Sequence, residues 1–445
     1  MIERIVNLLK GKKIAILGFG REGVSSYEFI TKYVDNPDIT VIDTDTSLLS
    51  KYDYLNESNS VLGDNYLDNL NKYDLIIKTP GISLKDIDIT GIKDRITSQV
   101  ELLLKANKEK VIGVTGTKGK STTSSLIYEI IKEQNENTIL VGNIGLPILS
   151  NIENCDEDTI IVAEMSSHQL EYIDVSPHIG VILNLFEDHL DHAGSVEHYH
   201  DIKLNMFRYQ NDNDYMIYCS NNETLDNLIK KNNFKGIKYT VNPYESASIT
   251  IKDNYVVFND TRIYDINSKR NLLGKHNLEN IMTALTVAII LNLDIDRAIS
   301  IINTFKGLPY RLENIGTVDE VTYYTDTLAT IPEATEEATK SLNDIDTLIF
   351  GGMDRGISYE GFADYLNSTS IRNFICMPET GHTIGKDLIN KNVYFVETLE
   401  EAVKKAKEVT AKGKICLLSP AASSYNSFKN YAEKGDKYKE LVYDK

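Results

Sequence analysis

The sequence predicts an α/β protein of three domains, with Rossmann-like domains at its two ends and a P-loop domain between them. Three patterns carry this prediction. A glycine-rich turn follows an early strand, a second glycine-rich loop follows a strand near residue 115, and strand and helix patterns alternate again after residue 308. We expect the domains to span residues 1–98, 99–307 and 308–445. The alternation in SITIKDNYVVFN indicates a small antiparallel region, between about residues 215 and 273, added to a mostly parallel central sheet.

The composition of the 445-residue chain restricts its partners. A net charge of -18 argues against binding to a nucleic-acid backbone. The four cysteines are scattered without a C-x-x-C pair, which indicates neither a zinc knuckle nor a disulfide framework. No stretch approaches the roughly 18 apolar residues of a membrane span, and the first residues do not form a signal-peptide core. We expect a monomeric, cytoplasmic enzyme without membrane insertion.

The N-terminal glycine turn lies in KKIAILGFGREGVSS. Gly18, Gly20 and Gly23 form a G-x-G-x-x-G between a strand and a helix, and the next strand, ITVID, ends at Asp43, about 20 residues further on. This spacing is typical of dinucleotide-binding folds and favours an NAD-dependent enzyme as a first hypothesis. The alternative is a turn whose glycines serve only the packing of the helix on the strand.

The central glycine loop lies in VIGVTGTKGKSTTS. It differs from the P-loop pattern G-x-x-x-x-G-K-[ST], because Val114 stands at the first glycine position and the additional glycine comes later, at Gly116. The context is that of a phosphate loop, since Val111–Thr115 is typical of a buried strand and helical apolar spacing follows the Gly-Lys-Ser. Backbone N–H groups at a helix N-terminus, together with Lys120, would hold phosphate. The alternative is an ordinary strand–turn–helix with an exposed lysine.

Polar side chains follow two further apolar strands. Glu164 ends TIIVAE, where a carboxylate beside a phosphate loop can hold Mg²⁺. The strand IGVILNL is followed by FEDHLDH, in which His189 and His192 have a zinc-ligand spacing. The abundance of carboxylates and the lack of nearby thiols argue against zinc. By its pattern alone, Lys203 in SVEHYHDIKLNMFRYQ is an exposed helix lysine.

Four candidate residues lie in the last third of the chain. Arg311 follows the Gly-x-Pro turn of GLPYRLE, where a guanidinium can clamp a phosphate. Asp326 ends the strand VTYYTD, and Ser424 and Phe428 follow the turn after KICLLSP. Surface or packing roles are equal alternatives for all four. The charged tail GDKYKELVYDK predicts a solvated helix.

Together these motifs resemble the Mur ligases and folylpolyglutamate synthase, whose phosphate loop is usually spelled T-G-T-x-G-K-[ST]. The resemblance extends across the whole chain. It rests on TGTKGKST, GNIG at 142–145, EMSSHQLE at 164–171, NLFEDHLD at 184–191, GKHN followed by Asn280, GLPYRLE at 307–313, and LSPAASSYNSFKN at 418–430, in the order of the family. GNIG and the last motif are most similar to the glutamate-adding branch.

The resemblance implies an ADP-forming ligase that joins glutamate to UDP-N-acetylmuramoyl-L-alanine through an acyl phosphate, in cytoplasmic peptidoglycan precursor synthesis, with ATP and two Mg²⁺ ions. It implies that ATP contacts Gly116, Thr117, Lys118, Gly119, Lys120, Ser121, Thr122, Asn280, Arg311 and Asp326. It implies that Mg²⁺ is held by Ser121, Glu164, His189 and Lys203, the last as a carbamate formed with CO₂. It implies that the other substrates contact Gly18, Gly20, Arg21, Glu22, Thr44, Thr79, Asn143, Ser166, Gln169, Arg355, Ser424 and Phe428. Catalytic roles are implied for Lys120, Lys203 and His189.

Two departures from the family pattern concern glutamate. The usual N-D-S-K-A-T-N is TDTLATIPEAT here, which puts Leu328 at the lysine position, and G-G-x-x-K is GGMDRG, which puts Arg355 near a second lysine position. An arginine forks across both oxygens of a carboxylate, whereas a lysine is a point charge, so the glutamate would be seated differently. We expect D-glutamate as the substrate, with L-glutamate as the alternative. A nicotinamide oxidoreductase and a non-catalytic nucleotide sensor are the alternatives from other functional classes.

Overall fold

In the computed structural model the chain folds around three β-sheets and divides into two compact units. The structure describes residues 1–142, 147–188, 193–424 and 428–444, except for the side chains of residues 275 and 276. One unit comprises Met1–Ser268 and Leu278–Ile301 and contains the first two sheets. The other comprises Lys269–Asn277 and Ile302–Lys445 and contains the third sheet.

The first sheet is parallel throughout, in the order β3-β2-β1-β4-β5. Its strands are β1 (Lys13–Leu17), β2 (Asp38–Asp43), β3 (Ser60–Leu62), β4 (Leu75–Lys78) and β5 (Ile96–Thr97). The accompanying helices are Ile2–Leu9, Arg21–Tyr33, Leu48–Lys51 and Gln99–Asn107, with short 3₁₀ turns at Leu70–Lys72, Lys93–Arg95 and Lys108–Lys110. The central strand β1 is buried because its sequence KIAIL is almost entirely apolar, as parallel strands covered on both faces require.

The second sheet has nine strands in the order β14-β13-β12-β11-β10-β9-β6-β8-β7. They are β6 (Val111–Thr115), β7 (Thr138–Gly142), β8 (Ile160–Glu164), β9 (Ile179–Ile182), β10 (Tyr215–Cys219), β11 (Ile237–Asn242), β12 (Ile249–Lys252), β13 (Tyr255–Phe258) and β14 (Thr261–Asp265). The helices in this part of the chain are Lys120–Lys132, Ile148–Asn151, Ser167–Leu170, Val196–Arg208, Glu223–Lys231, Lys275–Ile290 and Ile295–Thr304, with a 3₁₀ turn at Ile152–Asn154.

The third sheet has six strands in the order β15-β16-β20-β17-β18-β19, and only the pair β15–β16 is antiparallel within the described residues. They are β15 (Glu313–Val318), β16 (Val321–Thr325), β17 (Ile345–Phe350), β18 (Asn373–Cys376), β19 (Asn392–Phe395) and β20 (Ile415–Leu418). The helices are Pro332–Ser341, Phe362–Ser368, Thr380–Ile384, Leu399–Val409 and Tyr431–Tyr443, with a 3₁₀ turn at Gly385–Asp387. Together the three sheets confirm the predicted α/β fold class.

The antiparallel part of the second sheet is smaller than the sequence predicts. The hairpin in SITIKDNYVVFN is present, since β12 and β13 pair antiparallel and β14 continues the meander. The prediction was wrong for β10 and β11, which pair parallel with their neighbours and extend the buried sheet. Period-two alternation indicates a strand with two different faces but does not fix the direction of its neighbour.

The C-terminal helix also differs from its prediction. The charged tail predicted a solvated helix, but Tyr431–Tyr443 begins earlier and buries Lys434, Gly435, Tyr438 and Val442. Tyr438 and Val442 join the hydrophobic core of the third sheet. The apolar positions are few and widely spaced, so the helical stripe is hidden among lysines and glutamates.

A continuous hydrophobic core joins the first two sheets. It includes Ile14 and Ile16 of β1, Val111 of β6 and Ile161 and Ala163 of β8. The two sheets therefore belong to one packed body, within which their relative position is fixed by apolar contacts. In the part of the chain that the structure describes, no helix combines the length and the apolar character needed to cross a membrane.

The first glycine turn depends on close backbone approach at Gly23. A Cβ atom at this position would overlap the Gly18 carbonyl oxygen, whereas a Cβ at Gly20 would have no heavy atom within 4 Å. We expect Gly23→Ala to lower the free energy of unfolding by about 1–3 kcal/mol through overpacking, and the control Gly20→Ala to change it far less. Chemical denaturation of both variants tests this, and equal midpoints would contradict it.

Candidate functional site

The loop between β6 and the helix Lys120–Lys132 takes a conformation that its glycines allow. Gly116 has φ 149° and Gly119 has φ 85°, a region that favours glycine. Gly119 is the N-cap of the helix and provides no side-chain cap, so the first N–H groups of the helix can donate to a ligand. The structure therefore confirms the strand–loop–helix context on which the phosphate-loop prediction depended.

Two asparagines hold this loop in place. The Asn184 side chain accepts a hydrogen bond from Lys118 N at 2.8 Å and donates to Lys118 O at 3.1 Å, and the backbone carbonyl oxygen of Asn184 accepts from Thr117 N. Asn280 Oδ1 accepts from Thr123 Oγ1 at 3.0 Å and would lie 2.9 Å from a Cβ at Gly119. Asn280 thus supports the loop itself.

Two lysines converge on the loop from different helices. Lys120 Nζ donates to the carbonyl oxygens of Gly116 and Thr117, both at 2.9 Å, and Lys203 Nζ donates to the same Gly116 oxygen at 3.1 Å. Lys203 is 1% exposed, so the interpretation of it as an exposed helix lysine was wrong. Burial and the Lys120 charge lower the pKa of Lys203 to about 7, while Asp188 and Glu164 act in the opposite direction.

Glu164 lies beside the loop as the sequence predicts. It is the last residue of β8, it is fully buried, and it is paired in register with Val114 of β6 and Gly142 of β7. Its charge acts on Lys203. Ser121 and Thr122 begin the helix that follows the loop, and the parallel strands bring all these groups to the carboxyl edge of one sheet.

A cavity of about 400 Å³ lies at the carboxyl ends of the first sheet. It is lined by Gly18, Phe19, Gly20, Arg21, Glu22, Asp43, Thr79, Pro80, Gly81, Ile82, Gly142 and Pro147. Five predicted substrate residues are in this set, whereas Thr44 is an exposed neighbour of Asp43. The Asp43 carboxylate accepts a hydrogen bond from Phe19 N at 2.6 Å, and Thr79 Oγ1 donates to Leu17 O at 3.0 Å, so both hold the glycine turn.

Polar contacts connect this cavity to the segment after β8. Gln169 Nε2 donates to Glu22 Oε1 at 2.8 Å, and Gln169 and Ser166 form a capping box at the start of the helix Ser167–Leu170. Lys78 Nζ lies 3.5 Å from Glu171 Oε2 in a buried ion pair. Three residues predicted separately as substrate contacts, Glu22, Ser166 and Gln169, are thus brought together.

The candidates in the third sheet's unit have different environments. Asp326 is buried and accepts hydrogen bonds from Leu312 N and Ser419 Oγ, both at 3.1 Å. Burial raises the pKa of Asp326 to about 7, against the opposing effects of these hydrogen bonds and of Arg311. Arg311 and Arg355 are exposed.

Ser424 and Phe428 follow β20 in the same unit. Ser424 is buried, whereas Phe428 packs against the hydrophobic core of the third sheet. This packing favours the structural alternative for Phe428. Asn143 and His189, and with them His192, lie outside the described residues.

Two contacts at this site were not predicted from the sequence. Tyr199 precedes Lys203 by one helical turn, and its ring centroid lies 4.9 Å from Lys203 Nζ. Thr115 Oγ1 donates to Met165 O at 2.7 Å and ties the loop strand to the segment after Glu164. The i, i+4 spacing of an aromatic residue and a lysine is the signal that would have predicted the first contact. No local pattern predicts the second.

Three family models match successive parts of this chain. The one described as "Mur ligase MurD-like, N-terminal domain" matches residues 12–101, "Mur ligase middle domain" matches 114–288, and "Mur ligase, glutamate ligase domain" matches 310–422. Together the matched residues span most of the chain.

Curated relatives are similar over nearly the full length. The UDP-N-acetylmuramoylalanine–D-glutamate ligase of Clostridioides difficile (strain 630) is 32% identical over 447 residues, which cover 98% of this chain and 99% of that protein. The protein of the same name from Caldicellulosiruptor bescii is 31% identical and covers 98% of both chains.

Solved structures share the fold. UDP-N-acetylmuramate-alanine ligase MurC from Thermotoga maritima has a TM-score of 0.59 at 19% identity, covering 96% of this chain and 98% of that chain. MurF ligase from Thermotoga maritima in complex with ADP has a TM-score of 0.57 at 15% identity, covering 98% and 95%. At these identities the comparison shows the three-domain α/β fold alone.

The raised pKa of Asp326 has a consequence for stability. Between the ordinary value of 3.8 and the folded value of about 7, the folded carboxyl keeps a proton that the unfolded chain releases. Wild-type stability therefore falls as the pH rises through this window, and Asp326→Asn should escape that loss, by up to about 1.4 kcal/mol per pH unit. Urea unfolding of both proteins across this range tests the prediction. A stability difference that does not change with pH would contradict it.

Proposed function

The chain belongs to the Mur ligase family, and we propose that it uses ATP to add D-glutamate to UDP-N-acetylmuramoyl-L-alanine in peptidoglycan precursor synthesis. One observation carries this proposal: curated relatives named for D-glutamate ligation are 31% and 32% identical over 98% of the chain. Their names favour D-glutamate over the L-isomer. The buried Glu164 and Lys203 beside the phosphate loop favour an enzyme over a nucleotide sensor, since nucleotide binding alone does not require them.

The phosphate loop suits the β- and γ-phosphates of ATP. The uncapped helix N-terminus offers N–H donors, and Lys120 would supply positive charge. Lys120 Nζ now contacts two loop carbonyl oxygens, so a phosphate would replace neutral partners by a charged one. We assign ATP contacts to the loop residues Gly116 to Thr122 and to Asn280, Arg311 and Asp326.

The donors beside the loop suit magnesium. Mg²⁺ prefers oxygen ligands, and the buried Glu164 carboxylate and the Ser121 hydroxyl supply them next to the expected phosphates. Lys203, as a carbamate, and His189 complete the proposed set for two ions. When bound, Mg²⁺ would neutralise phosphate charge that develops during transfer.

The proposed reaction has two steps. The alanyl carboxylate of the sugar nucleotide attacks the γ-phosphate of ATP, which gives an acyl phosphate and ADP. The amine of glutamate then attacks the acyl carbon, and phosphate leaves from the tetrahedral intermediate. Lys120 would stabilise the transferring phosphoryl group, for which one such group contributes on the order of 10²–10³ in rate.

The cavity of the first sheet is the proposed site of the uridine diphosphate. Its volume of about 400 Å³ lies in the range of small-molecule sites, and Arg21 and the N-terminus of the helix Arg21–Tyr33 line it. The Asp43 carboxylate accepts a hydrogen bond from Phe19 N, which argues against the ribose contact that an NAD enzyme would require. Glu22, Ser166, Gln169 and Asn143 would contact the rest of the muramoyl substrate.

The remaining assignments follow from the same proposal. Residues 1–98 would bind the uridine nucleotide, 99–307 the ATP, and 308–445 the incoming glutamate through Arg355, Ser424 and Phe428. Thr44 and Thr79 would contact the nucleotide beside the glycine turn. The monomeric state and the cytoplasmic location stay predictions.

Carbamylation of Lys203 is the least ordinary part of the proposal. A carbamate forms from the neutral amine, and a lysine whose pKa is lowered to about 7 by burial is largely neutral just above that pH. The neutral amine attacks CO₂ and a proton is released, so the side chain becomes an anion that attracts Lys120, whereas its protonated form would repel Lys120. The carbamate also provides an oxygen ligand for Mg²⁺.

We expect Lys203→Ala to be nearly inactive and to recover part of its activity in the presence of short carboxylates, which can occupy the place of the carbamate. ADP release in the presence of both substrates measures this. Lys391→Ala serves as a control, because among described residues Lys391 donates only to the carbonyl oxygens of Thr369 and Ile371 and has no proposed role in the site. Full activity of Lys203→Ala would return Lys203 to a structural role.

The substrate assignment is tested with both isomers of glutamate. With one preparation of UDP-N-acetylmuramoyl-L-alanine, we expect kcat/KM to be at least about tenfold higher for D-glutamate, a difference of about 1.4 kcal/mol in transition-state binding. The stoichiometric products should be ADP and phosphate. A preference for L-glutamate would reject the isomer but keep the ligase, whereas formation of AMP would reject the acyl-phosphate mechanism.

A further inference from the structure

A buried lysine in the third sheet's unit has no part in the function argued so far. Lys434 is 2% exposed, and burial lowers the pKa of its ammonium to about 8. Within the described residues, its one hydrogen bond is donated to the Gly351 carbonyl oxygen at 3.2 Å, and no carboxylate forms an ion pair with it. Because an ammonium has three N–H donors, this environment satisfies only part of its capacity.

The position of Lys434 is electrostatically unfavourable. It lies near the start of the helix Tyr431–Tyr443, where the partial positive charge of the helix end repels a cation. Desolvation adds to this cost, and an apolar side chain of similar length would avoid both. An ammonium in such a place is stabilised when an anion binds next to it.

Two buried hydroxyl groups lie on the segment that contacts the same strand end. Ser423 and Ser424 are each 2% exposed, and neither Oγ has a hydrogen-bond partner among the residues that the structure describes. Ser423 O accepts a hydrogen bond from Met353 N at 2.9 Å. Met353 lies two residues after Gly351, whose carbonyl oxygen Lys434 contacts. Lys434 and the backbone of Ser423 therefore both contact the chain just after β17, the first from the C-terminal helix and the second from the segment after β20.

The same helix turn is held against the loop after β16. Thr327 Oγ1 donates to Tyr431 O at 2.8 Å, and a Cβ at Gly435 would overlap the Tyr310 ring. This loop carries Leu328, at the position where the family pattern has a lysine. Lys434 thus supplies a cation beside the loop after β16, in which Leu328 stands at the position of the family's lysine.

We propose that Lys434, together with Ser424, binds one carboxylate group of the incoming glutamate. This inference rests on the proposed function and adds a residue to its amino-acid site. The ammonium and the hydroxyl would both donate to the carboxylate oxygens, which satisfies groups that the protein alone leaves unsatisfied. The helix N-terminus is not itself the site, because Asn430 Oδ1 already accepts from Ala432 N and Glu433 N, both at 3.0 Å.

The proposal predicts selectivity for a carboxylate over an amide. An amide in the same place would present N–H donors to the ammonium and lose the charge attraction. The test compares D-glutamate with its side-chain amide, D-glutamine, and its α-amide, D-isoglutamine, in the wild-type protein and in Lys434→Met. Lys434→Met should raise KM for D-glutamate by about tenfold or more, leave KM for ATP within about twofold, and lower the discrimination against one of the two amides by about tenfold.

The control variants separate binding from folding. Lys391→Met removes another lysine of this unit that donates to backbone carbonyl oxygens. It should leave the KM values for D-glutamate, D-glutamine and D-isoglutamine unchanged. Ser424→Ala should lose discrimination against the same amide as Lys434→Met, and Lys434→Arg should retain it. If Lys434→Met does not fold, these last two variants decide the question.

A purely structural role predicts another pattern. In that case Lys434→Met would lower the thermal midpoint and the rates with all three amino acids together, with the amide discrimination unchanged, and this result would overturn the proposal. Ser424→Ala and Lys434→Met acting on different amides would overturn it as well. Failure of the proposed function is distinguishable, because the wild-type protein would then release no ADP in response to D-glutamate.

Discussion

Two ammonium groups share one backbone carbonyl at the phosphate loop. Lys120 Nζ and Lys203 Nζ donate to the Gly116 oxygen at 2.9 Å and 3.1 Å. Burial is the main cause of the lowered pKa of Lys203, the nearby Lys120 charge lowers that pKa further, and Glu164 and Asp188 oppose both effects. The positive φ of Gly116 and the Asn184 contacts belong to the same arrangement, because they fix the carbonyl on which both lysines converge. A group that brings negative charge to these lysines would relieve the conflict, and in the proposed function ATP phosphate and a carbamate at Lys203 would each do so.

Buried lysines explain how an acidic protein can hold anionic substrates. A net charge of -18 disfavours the approach of phosphates and carboxylates, and a cation in low-dielectric surroundings attracts them more strongly than an exposed one. Lys78, Lys203 and Lys434 are each 1–3% exposed and lie at strand ends or on helices that reach them. They differ in the groups that offset their positive charge. Lys78 has the Glu171 carboxylate at 3.5 Å, and Lys203 interacts electrostatically with the carboxylates of Glu164 and Asp188. Among the described residues, Lys434 contacts a single carbonyl oxygen. This gradation sets the ion pair of Lys78 apart from Lys203 and Lys434, for which ligand contacts are proposed.

The sequence predicts the sheets of this protein better than the surroundings of its charged groups. Apolar runs such as Val111–Thr115 and the glycine turns identify strands and loops, because a buried parallel strand requires a nearly continuous apolar stretch. Lys203 and Lys434 each lie in a helix rich in charge, and nothing local distinguishes a buried lysine from an exposed one. Family resemblance implied a role for Lys203, which the structure shows to be buried, but gave no signal for Lys434. The directions of β10 and β11 were also beyond the sequence, since they depend on long-range pairing.

The segment after β8 contacts the cavity of the first sheet and begins beside the phosphate loop. Glu164 at its start is buried beside the phosphate loop, while Gln169 contacts Glu22 on the cavity of the first sheet and Glu171 pairs with Lys78. If Glu164 holds magnesium and the cavity holds the sugar nucleotide, the distance between acceptor and phosphate is set by this covalent segment and by the core shared by the first two sheets. A rigid connection of this kind keeps reacting groups at attack distance without an ordering cost at each turnover. The amino acid enters second in the proposed reaction, and its proposed contacts lie in the other compact unit, which also carries the proposed ATP contacts Arg311 and Asp326 and so takes part in both steps.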